Sequence, residues 1–194
     1  DNDAANLMKT SLLLIVAIGC LVTGVGMVFT PWLVNLFAPG FDPATHTLAV
    51  TMSRIMFPFL VLISVAAMFG VILQTREKFG LYALAPALFN VAIIGFLWIG
   101  MDRYGPVIAA WGVLAGGFLE GLAMYPVVQK TFNFRRSKFR VKDPAAKKVN
   151  SLALPVLFET VLDKTIVLVD RRLASIVSPG SIAALGYSFR LLQL

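Results

Sequence analysis

The chain has 194 residues, of which 58% are hydrophobic and 14% charged, with a mean hydropathy of +0.83. Soluble globular domains carry roughly 25% charged residues, so a water-soluble fold is excluded and an all-α polytopic membrane protein is expected. The formal net charge of +7 does not point to nucleic acid, because the basic residues gather in one connection between apolar runs, where they report topology.

Six apolar segments follow one another, at about 10–37, 47–74, 81–100, 105–128, 151–177 and 181 onward. Each of the first five is long enough for the roughly 20 residues a bilayer needs, and the sixth is cut short at Leu194. The opening DNDAANLMK lacks an initiator Met and a signal-peptide n-region, so the sequence is expected to be an internal piece of a longer protein. Lys and Arg orient the spans. The connection 129–150 holds Lys130, Arg135, Arg136, Lys138, Arg140, Lys142, Lys147 and Lys148, and the turn TREKFG adds Arg76 and Lys78. By the positive-inside rule these, with Lys9, are expected on the cytoplasmic side.

The first span, SLLLIVAIGCLVTGVGMVFTPWLVNLF, carries Gly19, Gly24 and Gly26, which permit close helix approach, and Pro31, which leaves a carbonyl to be satisfied by a neighbour or by water. Cys20 lies inside it, and a single cysteine makes neither an intrachain disulfide nor a thiolate metal site. The loop APGFDPATH is turn chemistry, and His46 at its end is expected at the solvated membrane edge. In the second span Arg54 sits about two turns in, with Pro58 one turn later. Two placements suit this arginine equally: snorkelling to the outer surface, or facing a wet cavity.

In the third span Pro86 is followed one turn on by Asn90, whose amide is expected to satisfy the backbone that the proline disturbs. The fourth repeats Gly112, Gly116, Gly117 and Gly121, a helix-packing seam, with Glu120 as its one charge. The basic connection interleaves Phe132, Phe134 and Phe139 with its cations; a solvated linker and an amphipathic segment on an anionic leaflet both fit. It divides the chain into 1–128, with four spans, and 151–194, the start of a second lobe.

The fifth span is the unusual one. Glu159, Asp163 and Asp170 fall within about 60° of arc on a helix, with Lys164 and Arg171 roughly 100° round from them. Glu159 and Asp163, about 6 Å apart along the axis, are placed to share a cation or a proton, whereas Asp163 and Asp170, about 10 Å apart, are not. Pairing of these acids with Lys164 or Arg171 is the alternative. Arg190 lies well into the sixth span, after Gly186 and Tyr187, with no acid within a turn. A guanidinium kept at such depth suits phosphate, because its planar fork meets two oxygens and never loses its proton.

Several runs resemble the MurJ (MviN) lipid II flippases of the MOP exporter superfamily: LFAPGFD at 36–42, RIMFPFLVLIS at 54–64, GVILQTREKFGLYALAPALFN at 70–90 and VDRRLASIVSPGSIAALGYSFRLLQL at 169–194. The resemblance implies a MOP-type helical bundle of two pseudosymmetric lobes around a central cavity, of which this chain would supply the third span through part of the eighth. It further implies export of lipid II, a polyprenyl-pyrophosphate lipid, across the bacterial cytoplasmic membrane by alternating access. Cavity arginines would hold the anionic head group; Arg190 matches one of them, and Arg54 is a second substrate-binding candidate. Relatives often have Asp just before the first of these, where this chain has Phe189. Asp170 matches a position tied in some relatives to a sodium ion, which makes Asp170, Asp163 and Glu159 candidates for a coupling Na+ or H+. Other cell-wall synthesis proteins are the expected partners.

Rival readings are another exporter of the same superfamily, drug antiporter or O-antigen-type flippase, and a non-transporting membrane scaffold. No nucleophile–base pair, glycine-rich phosphate loop or metal cluster is present, so neither an enzyme nor a resident cofactor is expected.

Overall fold

The first four apolar runs fold as helices long enough to cross a membrane: Ala5–Phe37, Pro43–Thr75, Phe79–Tyr104 and Val107–Lys130. The computed structural model describes residues 2–131 together with 169, 173, 186 and 188. Glu159, Asp163, Asp170, Arg190, the basic connection from residue 132 and the last two spans as wholes lie outside the described residues. The described elements are α1 (Asn2–Phe37), α2 (Pro43–Met56), α3 (Phe59–Thr75), α4 (Phe79–Tyr104) and α5 (Val107–Thr131). The expected second span is thus two helices. Pro58 has no N–H for the carbonyl four residues back, and the chain passes the gap on shorter bonds, from Leu60 N to Phe57 O at 3.1 Å and from Val61 N to Pro58 O at 3.1 Å. Pro58 keeps a right-handed helical conformation, φ −60° and ψ −19°, so the span is interrupted without being turned back.

The helix ends follow from local chemistry. At the start of α2 the Asp42 carboxylate accepts the amide N–H groups of Ala44 at 3.0 Å and Thr45 at 3.1 Å and the Thr45 hydroxyl at 2.6 Å, while Pro43 occupies the first helical position. The Thr45 hydroxyl first, and then its N–H, hold the Asp42 carboxyl below the usual aspartate range. A lowered folded pKa means that the cap stabilises above the unfolded value and is lost as pH falls through the folded one. Below about pH 4 the amides of Ala44 and Thr45 should therefore exchange faster with solvent, a pH dependence that Asp42→Asn should largely remove.

His46 falls on the fourth residue of α2 rather than in the loop, and its Nε2 is buried with no hydrogen-bond partner among the described residues. His46 as a whole is half-buried with its Nε2 screened, so the fully solvated setting expected for it is not found.

At the end of α3, Lys78 N bonds Leu73 O at 2.9 Å and Glu77 N bonds Gln74 O at 3.0 Å, the paired closure of a Schellman motif. The residue that makes the left-handed turn is Glu77, at φ 58°, where glycine is the usual choice. Glu77→Gly should raise stability by about 0.5–1 kcal/mol, read as a higher melting temperature in detergent; an unchanged or lower midpoint would contradict this account of the turn. Gly105 ends α4 at φ 60°, ψ −156°, a region open to glycine alone, and passes the chain to Pro106 and α5.

The chain divides into two units, residues 1–27 with 52–146 and residues 28–51 with 147–194. In the second, the described part includes the end of α1, the turn at 38–42 and the start of α2, closed by Ala38 N to Val34 O at 2.8 Å and Phe41 N to Ala38 O at 3.3 Å. In the first unit α5 packs along α4 and against α3. The glycine seam of α5 explains this. A Cβ on Gly112 would lie 3.1 Å from Ile93 Cα, one on Gly116 2.9 Å from the Phe89 carbonyl oxygen, and one on Gly117 2.7 Å from the Phe59 ring. Gly112 and Gly116 thus seat α4 and Gly117 seats α3, whereas Gly121 faces open space and is no part of the seam. The buried core gathers at one end of the unit, where Ala5, Ala66, Phe69, Ile72, Leu73, Ala85, Met124 and Val128 meet, with Met8 and Leu12 packed against them. That end also carries Lys9, Arg76 and Lys130, the residues assigned to the cytoplasmic side.

Candidate functional site

Arg54 lies on α2 one turn before the break in the second span. Its Nε donates to the Met27 carbonyl oxygen of α1 at 3.2 Å. Residue 31 is the one whose N–H would close the helical bond onto Met27, and residue 31 is Pro. The arginine thus donates sideways to a carbonyl whose usual helical donor position is a proline. A second bond crosses one turn away, from Thr23 Oγ1 to the Phe57 carbonyl oxygen at 3.2 Å, beside the other proline. Gly26 makes this approach feasible, because a Cβ there would run into the Phe57 ring. Each of two proline-interrupted spans thus lends a side-chain donor to the main chain of its neighbour.

The rest of the Arg54 side chain is exposed, and it has no ion pair among the described residues. With Nε–H occupied, the outer edge of the guanidinium, formed by Nη1 and Nη2, is the edge that points away from the tie. Two parallel N–H donors on a planar fork match the oxygens of a phosphate.

Toward the interior lies a groove of about 720 Å³. Cys20, Thr23 and Gly24 of α1, Pro58, Val61 and Leu62 of the second span, Phe96 of α4, and Trp111, Leu114, Ala115 and Phe118 of α5 line it. Cys20, Thr23 and Trp111 are the lining residues that carry polar side-chain atoms. A smaller recess of about 250 Å³, between α3 and α5, shares Leu62 and Phe118 with it and reaches Gly121 and Tyr125. Gly24, expected to seat a neighbouring helix, has nothing within 4 Å of where its Cβ would be and opens onto the groove instead. The buried core thus lies at the end bearing Lys9 and Arg76, while α4 and α5 stay in contact along their length.

The remaining polar residues of the spans are accounted for as follows. Glu120 is half-buried on α5 and pairs with no cation among the described residues. Asn90 is exposed on α4 and makes no hydrogen bond among the described residues, so it does not satisfy the backbone near Pro86, contrary to expectation. Its position one turn after the proline puts its amide beyond the carbonyl that Pro86 leaves, which belongs to residue 82, two turns earlier. Sequence reasoning foresaw an acceptor needing a partner near Pro31 but missed both donors, Arg54 and Thr23. The signal available was depth: Arg54 and Pro58 on one span stand at the levels of Met27 and Thr23 on its antiparallel neighbour. The acidic face of the fifth span and Arg190 lie outside the described residues.

Comparison with known proteins extends over the whole sequence. Residues 1–194 match the family described as "Lipid II flippase MurJ". The chain is 32% identical over 180 residues to the lipid II flippase MurJ of Burkholderia cenocepacia, covering 87% of this chain and 34% of that protein. It is 34% identical over 190 residues to the probable lipid II flippase MurJ of Bdellovibrio bacteriovorus, covering 94% of this chain and 36% of the relative. The chain thus spans about a third of the length of the curated relatives it matches. Its fold is similar to a solved structure described as "Lipid II flippase MurJ, inward closed conformation", with a TM-score of 0.81, 23% identity, and coverage of 100% of this chain and 40% of the other.

Proposed function

Because this chain belongs to the family of the lipid II flippase MurJ, we propose that it supplies part of a transporter that carries lipid II across the bacterial cytoplasmic membrane. The observation that carries this reading is the family match along residues 1–194, to which the exposed guanidinium of Arg54 on an apolar span adds a chemical reason. An anionic head group must leave water to cross a bilayer, and fixed cations in a hydrated path reduce that cost. Arg54 and Arg190 are the residues assigned to the pyrophosphate. The lipid tail stays in the bilayer while the head group passes, by rocking of two helical lobes about a site near the midplane.

In this reading residues 1–128 belong to the first lobe, 129–150 form the cytoplasmic connection with Arg76 on the same side, and 151–194 open the second lobe. Glu159, Asp163 and Asp170 are assigned to a coupling ion, Na+ or H+, and other cell-wall synthesis proteins are the expected partners. The test is reconstitution of the intact protein in vesicles containing labelled lipid II. Lipid II should reach the opposite leaflet faster than an ordinary phospholipid, as read by a membrane-impermeant reagent. Efflux of a cationic drug without movement of lipid II would overturn the reading in favour of an antiporter.

A further inference from the structure

Within the unit of residues 1–27 and 52–146, a cation and an aromatic ring meet at one level, at the end away from Lys9, Arg76 and Lys130. α3 and α5 run side by side in the same direction: a Cβ on Gly117 would lie 3.4 Å from Leu62 Cβ, and the Phe69 and Tyr125 rings are 6.3 Å apart. Counting back along both, Trp111 falls within one turn of the level of Arg54, about 6 Å inside the start of α5. That is the depth at which an indole, apolar in body and polar at one edge, sits best in a bilayer. Trp111 and Arg54 are both exposed, and the Nη1–Nη2 edge of the arginine meets no carboxylate among the described residues.

From this level the groove of about 720 Å³ runs inward, and the recess of about 250 Å³ continues it past the shared Leu62 and Phe118 to Tyr125. No charged side chain lines either stretch. Trp111 and Tyr125 are 14 residues apart. Along a helix that is about 21 Å, against about 15 Å for the apolar half of one leaflet.

We propose that this track is a phospholipid site: the phosphate of an anionic phospholipid, of the phosphatidylglycerol kind, rests on the outer edge of Arg54, and one of its acyl chains lies in the groove. The planar fork of the guanidinium matches two phosphate oxygens, and basic positions between membrane helices take anionic head groups for that reason. A head group bearing an ammonium would find no carboxylate in the lining to pair with. Gly24, where nothing stands within 4 Å of a Cβ, gives the chain room beside α1. The volume lies in the range of roughly 300–1,000 Å³ that holds one small ligand, so the second acyl chain stays in the bilayer. The site stands on the groove and on Arg54 and not on the transport reading, under which the transported head group and the phospholipid compete for the same edge.

Binding to the intact purified protein in detergent, counted by mass spectrometry of the complex, tests this with two probes of identical chains: phosphatidylglycerol, and diacylglycerol, which lacks the phosphate. The parent should bind phosphatidylglycerol more tightly by roughly tenfold, and Arg54→Gln should remove that preference while leaving diacylglycerol unchanged. Gly24→Leu, which puts a side chain into the groove, should weaken both probes by roughly tenfold without lowering the melting temperature of the lipid-free protein. Ala115→Leu should weaken both from the opposite wall.

If Arg54→Gln keeps the preference for the phosphate, the head group is not at Arg54 and the proposal falls. It falls equally if both groove variants bind both probes like the parent. Melting temperatures lowered by Gly24→Leu and Ala115→Leu, with lipid binding unchanged, would show another helix of the intact protein seated in the groove. Loss of a polyprenyl pyrophosphate without loss of phosphatidylglycerol would give the groove to the transported lipid instead.

Discussion

In the intact protein, Arg190→Ala should reduce the appearance of lipid II at the outer leaflet by roughly a hundredfold, and Arg190→Lys by about tenfold. The sequence places Arg190 well inside the sixth apolar run, with no acid within a helical turn. A cation there is costly unless a partner reaches it, and a pyrophosphate passing through a wet cavity is such a partner. Truncation to Ala removes the charge and both donors; losses of about 3 kcal/mol are ordinary for such pairs. Lys keeps the charge but offers a point and not a fork, so part of the function should return. Exposure of labelled lipid II to an impermeant reagent measures both variants. Parental rates for both would remove Arg190 from the site.

The largest effect on folding is expected at Gly116. A Cβ there would stand 2.7 Å from the Phe89 ring, 2.9 Å from the Phe89 carbonyl oxygen and 3.2 Å from its Cα. The ring can turn aside; the main chain of α4 cannot. Gly116→Leu must therefore push α4 off α5 along the seam that also includes Gly112, at a cost of about 3 kcal/mol, and should leave little folded protein in detergent. Gly116→Ala should lose about 1–2 kcal/mol for the same reason. Gly121→Leu supplies the contrast. It has open space, and the gain in helix propensity should leave its melting temperature unchanged or slightly raised. If Gly116→Leu and Gly121→Leu melt together, the seam is not where α4 and α5 are held.

Much of this was legible in the residues, and the boundary between what was and was not has a physical cause. Run length and hydropathy located the four described spans to within a few residues, because a bilayer fixes how long an apolar helix must be. Glycine spacing marked a packing seam on α5, though not its partners, for the same kind of reason: only a missing side chain lets two backbones come so close. What spacing could not decide was direction. Gly24 and Gly121 read like their neighbours but face open space, since a period of four tells which residues share a face and not which face is covered. His46 and Asn90 failed for the related reason that a polar side chain in an apolar run has several ways to be accommodated. The Arg54–Met27 bond required two spans to be set at one depth, information that lies between segments and in none of them singly.

The near absence of polar atoms from the groove wall bears on the charge beside it. Arg54 stands one helical turn from Pro58, and Met27 one turn from Thr23, so the cation sits at the mouth of a surface that attracts almost no water. Water damps the pull between unit charges 7 Å apart to about 0.6 kcal/mol, whereas an effective dielectric near 20 leaves about 2.4 kcal/mol. Apolar walls therefore lengthen the reach of this single guanidinium, and an anion moving along them would sense it well before touching it.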